Sequence, residues 1–260
     1  MVKRSGYRRM TALLLLLSAA MVSGCVKGTS DIFIEEMELC AARELAISNP
    51  VGNVTVTGNA FNDSDGVVFI KTEKYVDAYS LFGFASPNAY LDSVMVSPTL
   101  KDGRVELAVQ LGARGFLERL FVRIVPHVNR FVETPTYIST NAEVQFGNMH
   151  LRNLPGNVTA AVSVGNVTTA APMGIFGEQH FDIHVGKLEL SLSPKASFEY
   201  DLAVDIGKAE FQDFDLNLHQ RIMGARAAGL KGTLDQPGLI TAKVSMGTLT
   251  VKAQETTTLE

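Results

Sequence analysis

The chain has 260 residues, with 23 basic and 27 acidic side chains, a formal charge of −4, 46% hydrophobic residues, two cysteines and no tryptophan. That balance excludes a basic nucleic-acid-binding surface as the chain's business. The lack of tryptophan removes the usual aromatic platform of a sugar-binding groove.

Residues 1–24 carry Lys3, Arg4, Arg8 and Arg9 and no acid, followed by an apolar run from Ala12 to Val22. A basic start, an apolar stretch too short to span a bilayer and small residues before a cut predict a secretory signal. Val22-Ser23-Gly24-Cys25 resembles a bacterial lipobox. The resemblance implies that Cys25 becomes the lipidated first residue of the mature chain, and that the membrane is a partner through this anchor. Several acyl chains anchor stably where one does not. Val26 and Lys27 follow the cysteine with no aspartate beside it, which resembles an outer-membrane destination. Removing four basic residues and no acid takes the charge from −4 to −8. With Cys25 lipidated, no intramolecular disulfide is available. Cys40 is expected to be a small buried apolar residue.

Residues 25–42 read as the lipidated N-terminus and tether, and 43–135 as an irregular N-terminal β cap. Within the cap, Leu45-Ala46-Ile47 and then Val51-Gly52-Asn53-Val54-Thr55-Val56 resemble an early copy of the rung motif, and Asn62-Asp63-Ser64-Asp65-Gly66 is a turn before a strand. Tyr79 to Leu91 is ambiguous, with a short helix interrupted at Pro87. Asp102-Gly103 predicts a hairpin between Ser93–Leu100 and Val105–Leu111. Phe121 to Pro126 is another strand.

From residue 136 to 252 a repeat takes over. Pro155–Thr168 and Pro237–Thr250 lie 82 residues apart and share eight of fourteen positions. Gly147, Gly165, Gly186, Gly207, Gly229 and Gly247 are spaced 18, 21, 21, 22 and 18 residues, a mean of 20. Apolar residues recur one and three places before each Gly and two and four places after it. Polar residues fill the places between. That is strand alternation whose inward parity changes at the glycine, where a bend needs backbone angles that Gly tolerates. Stacked copies bury what one copy alone exposes. The expected fold is all-β: a β-solenoid or β-helix-like stack of about 20-residue rungs, ending in a polar tail over 253–260. Both apolar places flanking the glycine are read as inward, including Phe146, Val164, Val185, Ile206 and Met246. The Gly229 copy places Arg226 and Lys231 at inward positions, so Arg221–Lys231 is read as a loop or irregular rung.

The Gly52–Val56 opening, the strand ending in Val125-Pro126 and the steps Val164–Thr168 and Ile206–Glu210 resemble a bacterial β-strand-repeat domain known as a putative adhesin. The resemblance spans roughly 43–252. It implies a β-helical fold and an envelope setting, with no catalytic residues to carry over.

The strongest chemical constellation is His180-Phe181-Asp182-Ile183-His184. Alternation puts His180, Asp182 and His184 on one outward face, with the two His about 13 Å apart. If consecutive copies stack, Asp201 faces His180 and Asp205 faces His184. Two readings are open: solvated His–Asp pairs, or a metal site, for which four ligands are not evident. No cofactor is expected. Glu189 stacked over Glu210, or Asp213 beside Asp215, imitates a polysaccharide-cleaving β-helix, although Lys187 and Lys208 balance the first pair. Asn53, Asn157 and Asn166 match the glycosylation acceptor pattern but read as strand text. Three functions remain: a non-enzymatic envelope scaffold for adhesion or for an envelope protein or glycan partner, a β-helix lyase or hydrolase, and a small-molecule or lipid-binding module. The last needs a hollow interior, which columns of Val, Ile and Leu oppose.

Overall fold

Period-two alternation becomes strand through nearly all of the chain. The computed structural model describes residues 26–80, 86–112, 122–171, 174–214, 216, 218–220, 223–232 and 237–254. In chain order the strands are β1 (Val26–Thr29), β2 (Phe33–Leu39), β3 (Glu44–Val51), β4 (Val54–Gly58), β5 (Val68–Ser80), β6 (Val94–Lys101), β7 (Arg104–Leu111) and β8 (Val122–Thr134). They continue as β9 (Ser139–Phe146), β10 (Met149–Arg152), β11 (Val158–Ala171), β12 (Glu178–Leu192), β13 (Phe198–Gln212), β14 (Leu218–Gln220), β15 (Ala225–Lys231) and β16 (Gly238–Ala253). The fold is all-β; among the described residues the one α-helix is Asn88–Leu91, which starts directly after Pro87.

The chain divides into two compact units. The first holds residues up to 33, 74–95 and 110–127. In it β1 pairs antiparallel with β5, from Val26 opposite Ser80 to Thr29 opposite Asp77. The second holds 34–73, 96–109 and 128 onward. Here the Asp102-Gly103 hairpin forms as expected, with φ of 52° and 79° at its two central residues, the paired left-handed angles of a tight hairpin turn.

The second unit is built on parallel ladders. β3 pairs with β9, β9 with β11, β11 with β12, β12 with β16 and β16 with β13. Past the glycines, β4 pairs with β10 and β10 with β11 in the same register. The register aligns glycine with glycine, in the order Gly52, Gly147, Gly165, Gly186, Gly247 and Gly207. Each has φ between 125° and 151°. A Cβ on Gly165 would collide with the backbone of Gly147, and one on Gly186 with that of Gly165. The beat is therefore a column of close backbone contacts at the bend of each rung. Residues 44–58, upstream of the 136–252 repeat, supply a further copy.

Two apolar columns fill the interior. Val144, Val162, Ile183, Val244 and Val204 line up three places before the glycines, and all are buried. Val54, Met149, Val167, Leu188 and Leu249 line up two places after them, likewise buried. Arg130 continues this second column opposite Val54. It is fully buried and donates from Nη1 to the Leu107 carbonyl at 2.5 Å. Desolvation pulls its pKa down to about 10.

The neighbour order departs from expectation. Consecutive copies β12 and β13 do not touch as a ladder; β16 lies between them. The segment read as a loop or irregular rung contains β15, which runs antiparallel to β13, and β14 pairs antiparallel with β15. Ala225 and Ala227 face inward there, so Arg226 faces out. Cys40 is exposed rather than buried. It follows the half-buried Leu39 at the end of β2 and so takes the opposite, outward parity.

Candidate functional site

The residue before each aligned glycine does not point inward. Phe146 is 54% exposed, Val164 42%, Val185 36%, Met246 50% and Ile206 46%. The physical reason is the bend. Inward packing passes from the residue three before the glycine directly to the one two after it, and the place before the glycine is carried onto the convex side. The ladders join these side chains into one row: Val51, Phe146, Val164, Val185, Met246, Ile206. Met223 extends it, because the Gly207 N–H donates to the Met223 carbonyl just as the Gly147 N–H donates to that of Val164. Met223 is 66% exposed. Seven residues at the ladder spacing make an apolar ridge about 29 Å long.

An amide ladder borders one side of the ridge. The Asn53 Oδ1 accepts from the backbone N–H and Nδ2 of Asn148, both at 3.1 Å. The Asn148 Oδ1 accepts from the N–H and Nδ2 of Asn166, and the Asn166 Oδ1 from the Lys187 N–H at 3.1 Å. This explains the Gly-Asn text: each Asn caps the bend of the next rung through its Oδ1. The opposite border is Gln145, Ser163, His184, Ser245 and Asp205. Most of the ridge thus runs between neutral polar rows, on a chain whose net charge is negative.

The His/Asp constellation is spread out. His180 lies opposite Thr241 of β16, and Thr241 lies opposite Asp201. His180 therefore does not face Asp201, and by the same register His184 does not face Asp205. The intervening strand puts them about 10 Å apart, two ladder spacings. The aspartates have other partners. Asp201 takes a two-pronged grip from Arg226, Nε at 3.1 Å and Nη2 at 2.9 Å. Asp205 lies 3.6 Å from the Lys243 Nζ, and Asp182 is paired in register with Lys243. Among the described residues no group of three or more His, Cys, Asp or Glu is placed to hold a metal.

Nor are the stacked carboxylates a catalytic pair. Thr250 separates Glu189 from Glu210. Hydrogen bonds from Lys187, at 2.7 Å, and Lys252 hold the Glu189 carboxyl below the usual carboxylate range. A general acid needs the opposite shift. Cys25 and Asp215 lie outside the described residues.

In the first unit, a cluster that carries no sequence signal surrounds Asp77. Its carboxylate takes the Lys27 Nζ at 2.9 Å, the Thr29 hydroxyl at 2.7 Å and the His127 Nε2 at 3.2 Å. Tyr75 stacks on His127 with ring centroids 4.6 Å apart. Burial works against the Asp77 charge, but the bonds from Lys27 and Thr29 hold its pKa below the ordinary value. Thr29 spends its hydroxyl on Asp77, not on His127, so the cluster ties strands together rather than activating a nucleophile.

Neither a protein-family model nor a curated protein matches the sequence. Solved structures do. A putative cell adhesion protein from Clostridium sporogenes aligns at 14% identity over 85% of this chain and 100% of its own, with a TM-score of 0.50. A putative adhesin from Bacteroides fragilis aligns at 12% identity over 86% of this chain and 98% of its own, with a TM-score of 0.28. One from Parabacteroides distasonis gives 10% identity, coverage of 86% and 98%, and a TM-score of 0.28. The chain is similar in fold to the Clostridium protein, which is described as a putative cell adhesion protein.

Proposed function

We propose that the chain is a non-enzymatic lipoprotein of the bacterial cell envelope, a rigid β-solenoid that presents its convex apolar ridge to a protein partner. The observation that carries the reading is the ridge itself. Contiguous exposed apolar surface marks interaction sites, and a ladder holds it straight at no cost in side-chain ordering beyond the ridge residues. Around Phe146, Val164 and Met246 the borders are amide and hydroxyl side chains, which fit a partner strip that is apolar with uncharged amide or hydroxyl flanks.

Val164→Glu combined with Met246→Glu tests this. Both side chains are about half exposed and point away from the core, so the melting temperature should move little, as for ordinary surface substitutions. Binding of the mature chain to immobilised matrix and envelope proteins, followed by surface plasmon resonance, should fall about tenfold or more, the equivalent of about 1.4 kcal/mol. Undiminished binding by the double variant overturns the ridge. Release of sugar fragments from envelope glycans by the parent chain would favour the lyase or hydrolase reading instead.

Anchoring follows from Val22-Ser23-Gly24-Cys25 and the basic, apolar leader. Cys25→Ser should leave the precursor unprocessed and without acyl chains. Mass spectrometry of the mature native protein that finds an unmodified Cys25 overturns the anchor.

A further inference from the structure

A second exposed apolar feature lies elsewhere in the second unit, and its chemistry differs from that of the ridge. β5 lies between β2 and β8 in the sheet. On the outward face of these strands sits a trough of about 430 Å³, lined by the side chains of Glu36, Glu38, Phe69, Lys71, Phe131 and Glu133. That volume lies in the range of small-molecule sites.

Alternation explains which groups meet there. Ile70 and Val132 face the core and are buried, so Phe69, Lys71, Phe131 and Glu133 face out, as do Glu36 and Glu38 of β2. Phe69 and Phe131 are each 42% exposed, on a strand face where Lys and Glu are the other occupants. The charge is one-sided. Glu36, Glu38 and Glu133 line the trough against a single cation, Lys71, and the Lys71 Nζ is drawn to Glu73 at 3.5 Å. Asn59 Nδ2 lies 3.4 Å from the Glu133 Oε2, a neutral donor that leaves the carboxylate charge in place.

We infer that this trough binds an amphiphilic organic cation, its apolar body on the two phenylalanine rings and its ammonium among the three carboxylates. The apolar body leaves water against the two rings, and the carboxylates attract the ammonium with a Coulomb force that salt screens. The same carboxylates repel an anion carrying an identical tail. Neither the ridge nor the proposed adhesive role requires this site.

The probes are hexyltrimethylammonium and hexyl sulfate, which share a tail and differ in head charge. Titration calorimetry on the mature chain should show binding of the cation, weakening as salt is raised, and no binding of the sulfate. Phe131→Ala should lower the cation affinity several-fold, through the apolar contact that the tail loses. The triple variant Glu36→Gln, Glu38→Gln, Glu133→Gln keeps the shape and should abolish the preference for the cation. All four side chains face solvent, so far-ultraviolet circular dichroism should be unchanged; if Phe131→Ala does unfold the chain, the triple variant decides alone. No binding of the cation at millimolar concentration, equal binding of the two probes, or cation binding untouched by the triple variant each overturns the inference.

Discussion

Ile183→Asp should unfold the rung stack, or lower its melting temperature far more than any outward substitution on the same strand. Ile183 is fully buried between Val162 of β11 and Val244 of β16. An aspartate there has no cation within the apolar column and loses its water. An unpaired buried charge costs about 3–5 kcal/mol, and the lost apolar contacts add to that. For a chain of this size, each kcal/mol moves the melting temperature by about 2–4 °C, so a drop on the order of 10 °C or more is expected. Ser163→Asp places the same group on the exposed border of the ridge and should stay within about 0.5 kcal/mol of the parent. Equal melts for the two variants would mean that the column is misassigned.

Gly186→Ala should be nearly as damaging, although it adds one methyl group. At φ of 150° the residue sits where an L side chain is strained, which costs about 1–3 kcal/mol. The new Cβ would also meet the Gly165 carbonyl of the adjacent rung. Neither backbone can retreat without parting the ladders on both sides. Gly156→Ala is the matched control, because the nearest atoms to its Cβ are backbone oxygens at 3.7 Å. That substitution should be neutral or slightly stabilising through the unfolded state. Thermal melts that place both variants together would show that the glycine column is not closely packed.

Much of this packing is legible in the sequence, and the reasons for the failures are specific. The glycine beat and the columns three before and two after it are readable because the Gly147, Gly165, Gly186, Gly207 and Gly247 copies all repeat them. Apolarity alone does not tell inside from outside at a bend, so Phe146, Val164, Val185, Ile206 and Met246 were legible as a row but not as a surface. The neighbour order was hidden because β11, β12, β13 and β16 carry interchangeable columns: Val204 fits beside Ile183 as well as Val244 does. Arg226 looked misplaced while Gly229 was counted in the beat; Ala225-Arg226-Ala227 is an ordinary alternating strand running the other way. The trough left no trace at all, since 36–38, 69–71 and 131–133 are brought together only by strand order.

The place of β16 has a further consequence, for the order in which the molecule can assemble. β12 and β13 are consecutive in the chain, yet the second edge of β12, whose first edge lies on β11, and the parallel edge of β13 are both paired only by residues 238–253. Until that segment arrives, two long strands present unpaired edges, the surfaces most prone to mispairing with other chains. Closure across so many residues is slow, because loop entropy is lost before contacts repay it. A chain cut before residue 238 would therefore not be a stack one rung shorter. It would be two separate pieces, with β13, β15 and β14 deprived of the strand that joins them to the rest.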